Sequence, residues 1–525
     1  MAILFIFLVC KIKGKVVSLQ KDYIERKMKI YKALLFFVSV ILLLAGLSFV
    51  FPVDGYEVAG HRLRFFDIET LFSGSDEDFE TAEEKLARVE AELRLQFVRD
   101  SLDKVYQAER ADSIAYVDTL NSFRNFIDYS SARIYFPNDD PSLFDDLFAK
   151  LDRCSDESRG EVLHILHYGD SQIEGDRITG YIREQMQEKF GGLGAGLAPA
   201  IQPIPSMSVS QSASDTISRY IADGNLKQKL DNSHYGILAQ MALLDGDVTL
   251  TFASRNVKGN YSHARSFSKI SLLVGNTYEP FHARLTSGKI DVTKSIEDPT
   301  TELQVLTWKL DAPISKFSLH LSGDAEIYGV SMDGGYGVAV DNIPLRGSSG
   351  TFFTSISNDL LSSAMKKLNV QLIILEFGGN ATAYMTDEKA IASYKNKISK
   401  QISYLKRIYP SAKILFIGPA DMSKKVNGVL QTYPNLEAVV GCLKEAALEN
   451  GAAFWSMYDV MGGKNSMIKW VEHQPAWASK DYVHFTQQGA TKIAELFVQT
   501  FMIYYDYYHF LKRNPQWNAN DLIIE

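Results

Sequence analysis

Cysteine is nearly absent: Cys10, Cys154 and Cys442 are the only three in 525 residues, widely scattered and without metal-ligand spacing. That excludes a disulfide framework and a thiolate zinc site, while an exported chain without disulfides and a cytoplasmic one both stay open. Excess positive charge is missing too. The net charge is −8 and no basic patch offsets it, so nucleic acid is not an expected partner. Long apolar runs are equally scarce, with one exception. Residues 33–53 carry no charge and follow Arg26, Lys27, Lys29 and Lys32. Length and flank predict a membrane anchor, with residues 1–32 in the cytoplasm and everything downstream outside it, in the periplasm or beyond. A cleaved signal peptide starting at Met28 is the alternative, although no small-x-small cleavage site follows.

What is present describes a folded protein: 46% of residues are hydrophobic and 22% charged. At roughly 150 residues per domain the length predicts two to four units. After the anchor, 56–72 has the alternation of a short strand or two. From Phe79 to about Leu120, apolar residues recur at spacings near 3.5, predicting a helix that is either a stalk or an amphipathic helix packed on the domain. With Pro137-Asn-Asp-Asp-Pro141 and a helix over 143–151 it makes an extension spanning 54–159.

The stretch Leu163-His-Ile-Leu-His-Tyr-Gly-Asp-Ser171 begins the main domain. Its apolar start predicts a strand, Gly169-Asp170-Ser171 a tight turn, and 176–190 an amphipathic helix. A serine there sits at the carboxyl end of a strand with its N–H at a helix amino terminus, where a nucleophile can be served. The plainer reading is that Asp170 and Ser171 cap the helix. Gly191-Gly-Leu-Gly-Ala-Gly196 then follows, but the glycines trail a helix and no Lys-Ser/Thr comes after them, which argues against a phosphate loop.

From about 245 to 332 the texture changes to short alternating runs broken by Gly, Asn, Asp and Ser, the signature of a β-sandwich or jelly roll inserted over 201–335. Tyr261, Tyr278 and Trp308 are candidates there to stack on sugar rings, with core aromatics as the commoner explanation. Strands are then expected at 336–343, 371–377, 413–417 and 452–457, alternating with helices at 352–368, 390–408, 435–450 and 488–505. With 163–168 this is the rhythm of a parallel sheet covered on both faces.

Three further loops follow strands of that sheet or precede its last helix: Arg346-Gly-Ser-Ser-Gly350, Gly378-Gly379-Asn380, and Asp481-Tyr-Val-His484. A serine hydroxyl needs a base to become a nucleophile, and an imidazole three residues from a carboxylate can be held in the accepting tautomer. The chemistry requires no metal or cofactor. Asp176 and Arg177 are candidates to shape an acyl or sugar pocket, or more simply helical salt-bridge partners.

Together these segments resemble the consensus blocks of the SGNH, or GDSL, hydrolase superfamily, over about 160–200 and 336–508. The resemblance implies a flavodoxin-like three-layer α/β fold, split into 160–200 and 336–525 by the insert. It implies Ser171 as nucleophile, His484 as base and Asp481 as its orienting carboxylate. The implied oxyanion hole is the Ser171 N–H, the Gly350 N–H and the Asn380 amide. One departure stands out: Ala381 follows Asn380, where the family usually has Asp or Glu. The split by a carbohydrate-binding-like domain is similar to peptidoglycan O-acetylesterases. It implies an extracytoplasmic esterase acting on an acetylated glycan. An O-acetyltransferase using the same triad, tethered to the membrane, and a non-catalytic glycan-binding envelope protein are the alternatives.

Overall fold

The computed structural model describes residues 56–58, 61–63, 81–103, 113–223, 230, 232–257 and 261–514. It forms two compact units that divide after Glu80. In the first, Tyr56–Val58 pairs antiparallel with His61–Leu63. The expected anchor at 33–53 lies outside the described residues. Among the described residues no helix is long and apolar enough to cross a membrane.

The second unit is built on a six-stranded sheet. Its strands are β1 (Ile134–Tyr135), β2 (Val162–Gly169), β3 (Gly337–Pro344), β4 (Val370–Glu376), β5 (Lys413–Ile417) and β6 (Ala453–Trp455), in the spatial order β3-β2-β4-β5-β6-β1. Strands β2 to β6 run parallel, and only the short edge strand β1 is antiparallel. Taken in chain order, the five parallel strands lie 2-1-3-4-5, the flavodoxin-like arrangement. All five fall where the apolar runs predicted them. Two-residue β1 leaves no periodicity to read.

Alternation within each strand sends side chains to opposite faces. Leu163 and Ile165 of β2, Leu372 and Ile374 of β4, and Leu415 and Ile417 of β5 enter one core. Their neighbours Leu166 and Tyr168, Ile373 and Leu375, and Ile414 and Phe416 enter the other. Helices cover both faces: α1 (Ala82–Asp103), α2 (Ser113–Tyr129), α3 (Asp145–Cys154), α4 (Thr179–Phe190) and α8 (Gln487–Arg513) on the first, and α5 (Asn358–Lys367), α6 (Glu388–Ile408) and α7 (Leu436–Glu449) on the second. Of the two readings for the segment after residue 79, the structure has the packed helix and not the stalk. Leu86, Val89 and Leu93 of α1 are buried in the core that holds Phe497 and Phe501 of α8. Glu90 meets Lys492 of α8 at 2.9 Å. The near-3.5 spacing therefore served a face that lies on α8.

The region between α4 and β3 is one antiparallel sheet of nine strands, beginning at Gly196–Ala198 and closing with Lys316–Asp333. This last strand pairs along Lys316–Ile327 with Gln240–Ser254, while its other edge changes partner, from Phe281–Ser287 to Phe267–Gly275. Gly323 lies at the change with φ +121°, and a Cβ there would meet the Pro280 carbonyl oxygen at 2.8 Å. The sheet encloses its own core, including Leu250, Phe252, Ile270 and Phe317. Trp308 belongs to that core at 3% exposure, with Nε1 donating to the Val292 carbonyl. It is therefore not a stacking platform. Tyr261 packs edge-on against Tyr181 of α4, and only Tyr278 of the three is exposed.

Candidate active site

In a 2-1-3-4-5 sheet the first and third parallel strands diverge in their connections, and the crevice at their carboxyl ends is where ligands bind. Here those strands are β2 and β4, which end side by side at Gly169 and Glu376. Ser171 stands two residues beyond Gly169, after Asp170. Its Oγ lies 2.9 Å from His484 Nε2, and His484 Nδ1 lies 2.8 Å from Asp481 Oδ2. The other oxygen, Asp481 Oδ1, accepts the main-chain N–H groups of Val483 and His484, both at 3.0 Å. Partial burial pushes the Asp481 carboxyl upward, but these hydrogen bonds outweigh it and hold the group below the ordinary carboxylate range. A carboxylate that stays ionised keeps Nδ1 as a donor and leaves Nε2 free to accept the serine proton.

The helix after Ser171 starts later than its sequence predicts. Glu174–Asp176 form a short 3-10 turn with Gly175 at φ 71° and Asp176 at φ 68°, and α4 begins only at Thr179. The Ser171 N–H therefore heads a tight turn and not the helix. Asp170, beneath it, accepts from the Gln172 N–H at 2.9 Å and from Asn380 Nδ2 at 2.9 Å, joining the first block to the third. Burial pushes the Asp170 carboxyl up to about 7, against the lowering effect of the Gln172 N–H.

Gly350 requires a correction. It is buried, its N–H donates to Ser348 Oγ at 3.0 Å, and a Cβ there would meet the Phe377 ring at 2.7 Å. The glycine facing the cavity is Gly347, which lines it together with Ser171 and Asn380. Among the described residues no acceptor takes the Gly347 N–H. Asn380 Nδ2 lies 3.1 Å from the Ser348 carbonyl, beside that peptide. The motif Gly347-Ser-Ser-Gly350 offers two glycines, and spacing alone does not say whose N–H is already spent.

Asp176 and Arg177 divide the roles that their sequence left open. Asp176 forms a buried, two-toothed pair with Arg183 at 2.6 and 3.1 Å, and Ser208, just before the strand Val209–Ala213, also donates to it. Arg177 instead spends its guanidinium on main-chain carbonyls: Phe485 at 2.7 Å, Ser171 at 3.0 Å, Gln172 at 3.2 Å and Glu174 at 3.0 Å. Gln172 acts in parallel, with Nε2 donating to the Val483 carbonyl at 2.6 Å and Oε1 accepting the Phe485 N–H at 3.3 Å. These two side chains fasten the serine loop to the histidine loop. Nothing in the sequence around them marks the role, since the carbonyls they reach in the histidine loop are more than 300 positions away.

The cavity measures about 980 Å³ and is open to solvent on one side. One wall is apolar, with Pro419, Ala420, Met422 and Met457. Glu174, paired with Arg346 at 2.6 and 2.7 Å, stands on another. At the floor, Glu376 Oε2 meets His167 Nε2 at 3.1 Å, while Oε1 is buried with no partner among the described residues. Ile204 is the lining residue from the nine-stranded sheet's segment of chain. Among the described residues no cluster of His, Cys, Asp and Glu is suited to hold a metal ion.

No protein-family model matches the chain, and no curated protein does. Solved structures do. A peptidoglycan O-acetylesterase superposes with a TM-score of 0.56 at 21% identity, over 69% of this chain and 96% of the other. A family two carbohydrate esterase from Cellvibrio japonicus overlaps at TM-score 0.23 and 11% identity, covering 57% of this chain and 99% of its own. A GDSL-like lipase from Parabacteroides merdae reaches 0.25 at 13%, covering 32% of this chain and 74% of its own. The first match shows that the chain shares its fold with that esterase, and the 2-1-3-4-5 sheet gathers the four motif loops at its carboxyl edge.

Proposed function

We propose that this protein is a serine esterase that removes O-acetyl groups from a polysaccharide, with Ser171 as nucleophile, His484 as base and Asp481 as the orienting carboxylate. The carrying observation is the unbroken chain of contacts Ser171 Oγ, His484 Nε2, His484 Nδ1 and Asp481 Oδ2, opening into a cavity large enough for sugar units. Deacetylation proceeds in two halves. Ser171 Oγ attacks the ester carbonyl as His484 Nε2 takes its proton, and the same proton then passes to the departing sugar oxygen. Water attacks the acetyl-serine with His484 again as base, releasing acetate. The oxyanion of each tetrahedral state lies between the N–H groups of Ser171 and Gly347. Asn380 joins them by turning from the Ser348 carbonyl the longer of its two contacts. Each preorganised donor of this kind contributes roughly 3–4 kcal/mol.

The glycan reading draws support from the fold shared with a peptidoglycan O-acetylesterase and from the size and openness of the cavity. A location outside the cytoplasm, anchored through 33–53 or released by cleavage, rests on the charge-free run behind its basic flank. Protease added to intact spheroplasts should degrade the chain beyond residue 72; full protection overturns the placement. The activity is tested with a chromogenic acetyl ester, acetylated glycan, and a fluorophosphonate probe. Wild type should release acetate from both substrates and be labelled at Ser171. Release only when an acceptor sugar is supplied assigns the same residues to acetyl transfer. Absence of both labelling and release leaves a glycan-binding protein.

A further inference from the structure

The catalytic cavity does not end at the serine. A groove of about 300 Å³ continues from it over the start of α6, sharing Gly347, Asn380 and Tyr384 as a common border. That is the lower end of the size range of small-ligand sites, roughly 300–1,000 Å³, and suits a single sugar ring. Tyr384 is 77% exposed, unusual for a large aromatic, and stands on the border between the two spaces. Beyond it the groove is lined with the hydroxyl residues Ser349, Thr351 and Ser393, and it ends at Lys397.

Lys397 is exposed, and among the described residues it has no carboxylate partner. The helix positions one turn away, Ser393 and Gln401, are neutral. The catalytic cavity has the opposite character. Asp170 and Glu376 line it, Glu174 and Arg346 neutralise each other, and Arg177 is spent on main-chain carbonyls. A neutral, acetylated sugar fits that cavity better than an anionic one, whereas an anion is favoured at the Lys397 end.

We infer that this groove is a second glycan subsite that takes a carboxylate-bearing sugar next to the acetylated one. Tyr384 is the stacking platform between the two rings, and Lys397 is the cation that receives the carboxylate. The inference rests on the esterase reading of the cavity and specifies the polymer for it. The carboxylate is that of a uronic acid or of an acid-ended ether substituent, and paired oligosaccharides distinguish the two sources.

The test uses the full chain carrying Ser171→Ala, so that binding is measured without turnover. Its ligands are acetylated oligosaccharides with a uronic acid, with a carboxylate-ended ether, or with neither. Adding Lys397→Gln should raise Kd for a charged oligosaccharide roughly fivefold, the scale of one exposed ion pair, and leave the neutral one unchanged. Lys397→Glu should raise it further, and high salt should remove the difference. In the presence of Ser171, both Lys397 variants should hydrolyse a small chromogenic acetyl ester at the wild-type rate. Equal Kd for charged and neutral ligands, or indifference to Lys397→Glu, overturns the subsite while leaving the esterase reading intact. Failure of wild type to hydrolyse the small ester overturns the esterase reading, whatever the binding shows.

Discussion

The loop that carries Ser171 is buried at Asp170, Gln172, Ile173 and Glu174, with the serine itself half-buried, whereas the loop that carries the base stands at the surface. Side-chain exposure is 38% for His484 and 49% for Asp481. The first loop is held by the sheet it grows from. The second holds itself through short-range bonds, such as Ser479 N–H to the His484 carbonyl at 2.8 Å, and through what the first loop lends it, Gln172 and Arg177. The Ser171–His484 contact thus joins a buried loop to an exposed one, and Gln172 and Arg177 fasten the two directly, with the Ser423 N–H also holding the Tyr482 carbonyl at 3.0 Å.

Removing either end of the contact should have the largest effect. Ser171→Ala and His484→Ala should each lower kcat by about 10⁴-fold or more, and the double variant should be little worse than either. Independent, multiplying losses in steady-state kinetics would mean that the loops do not act as one unit. Asp481→Asn should be equal or milder, because it spoils the tautomer and leaves the base.

Asn380→Ala should come next, with kcat lower by about 100-fold and KM little changed, because the amide acts once the oxyanion forms. A loss mainly in KM would mean that Asn380 serves ground-state binding instead.

The clamp is the sharpest test of the difference between the loops. Arg177→Ala should lower kcat on a small acetyl ester by roughly 10- to 100-fold through misplacement of His484. In a His484→Ala background the same change should cost almost nothing, since there is no base left to misplace. A loss of equal size in both backgrounds would assign Arg177 to general folding.

The smallest effect concerns pH and belongs to the buried loop alone. Asp170 is pushed up to about 7 by burial, so the folded protein binds its proton more tightly than the unfolded chain does. Stability linked to this group is therefore present below the ordinary carboxylate range and is lost as pH rises toward 7, flattening above it. Tm measured from pH 4 to pH 8 should fall less steeply in Asp170→Asn than in wild type, the remaining slope coming from groups such as Asp421, which burial pushes up to about 6.

These same regions mark where reading the chain succeeded. Five parallel strands were legible because each is a short apolar run ending in a distinctive loop; the loops of Ser171, Asn380 and Asp481–His484 each hold few chemically capable residues, and the fold brings those residues together. Which glycine of Gly347-Ser-Ser-Gly350 faces the cavity is not legible in the sequence, because hydrogen-bond satisfaction is a tertiary property. Trp308 resembled a surface aromatic because alternation in a strand states that one face is buried without stating which. Arg177 and Gln172 left no signal, since main-chain carbonyls have no sequence identity.

Tyr504 of α8 both accepts from the Ile134 N–H and donates to the Ile134 carbonyl, each at 3.0 Å and across 370 positions. The edge strand β1 thus waits for nearly the last helix to be made, as Ser171 waits across 313 positions for His484. During synthesis the emerging chain holds Ser171 without His484 and an unfinished sheet edge. The Ser171–His484 contact then forms only after the carboxyl-terminal segment has emerged, and a chain cut short before residue 484 lacks it.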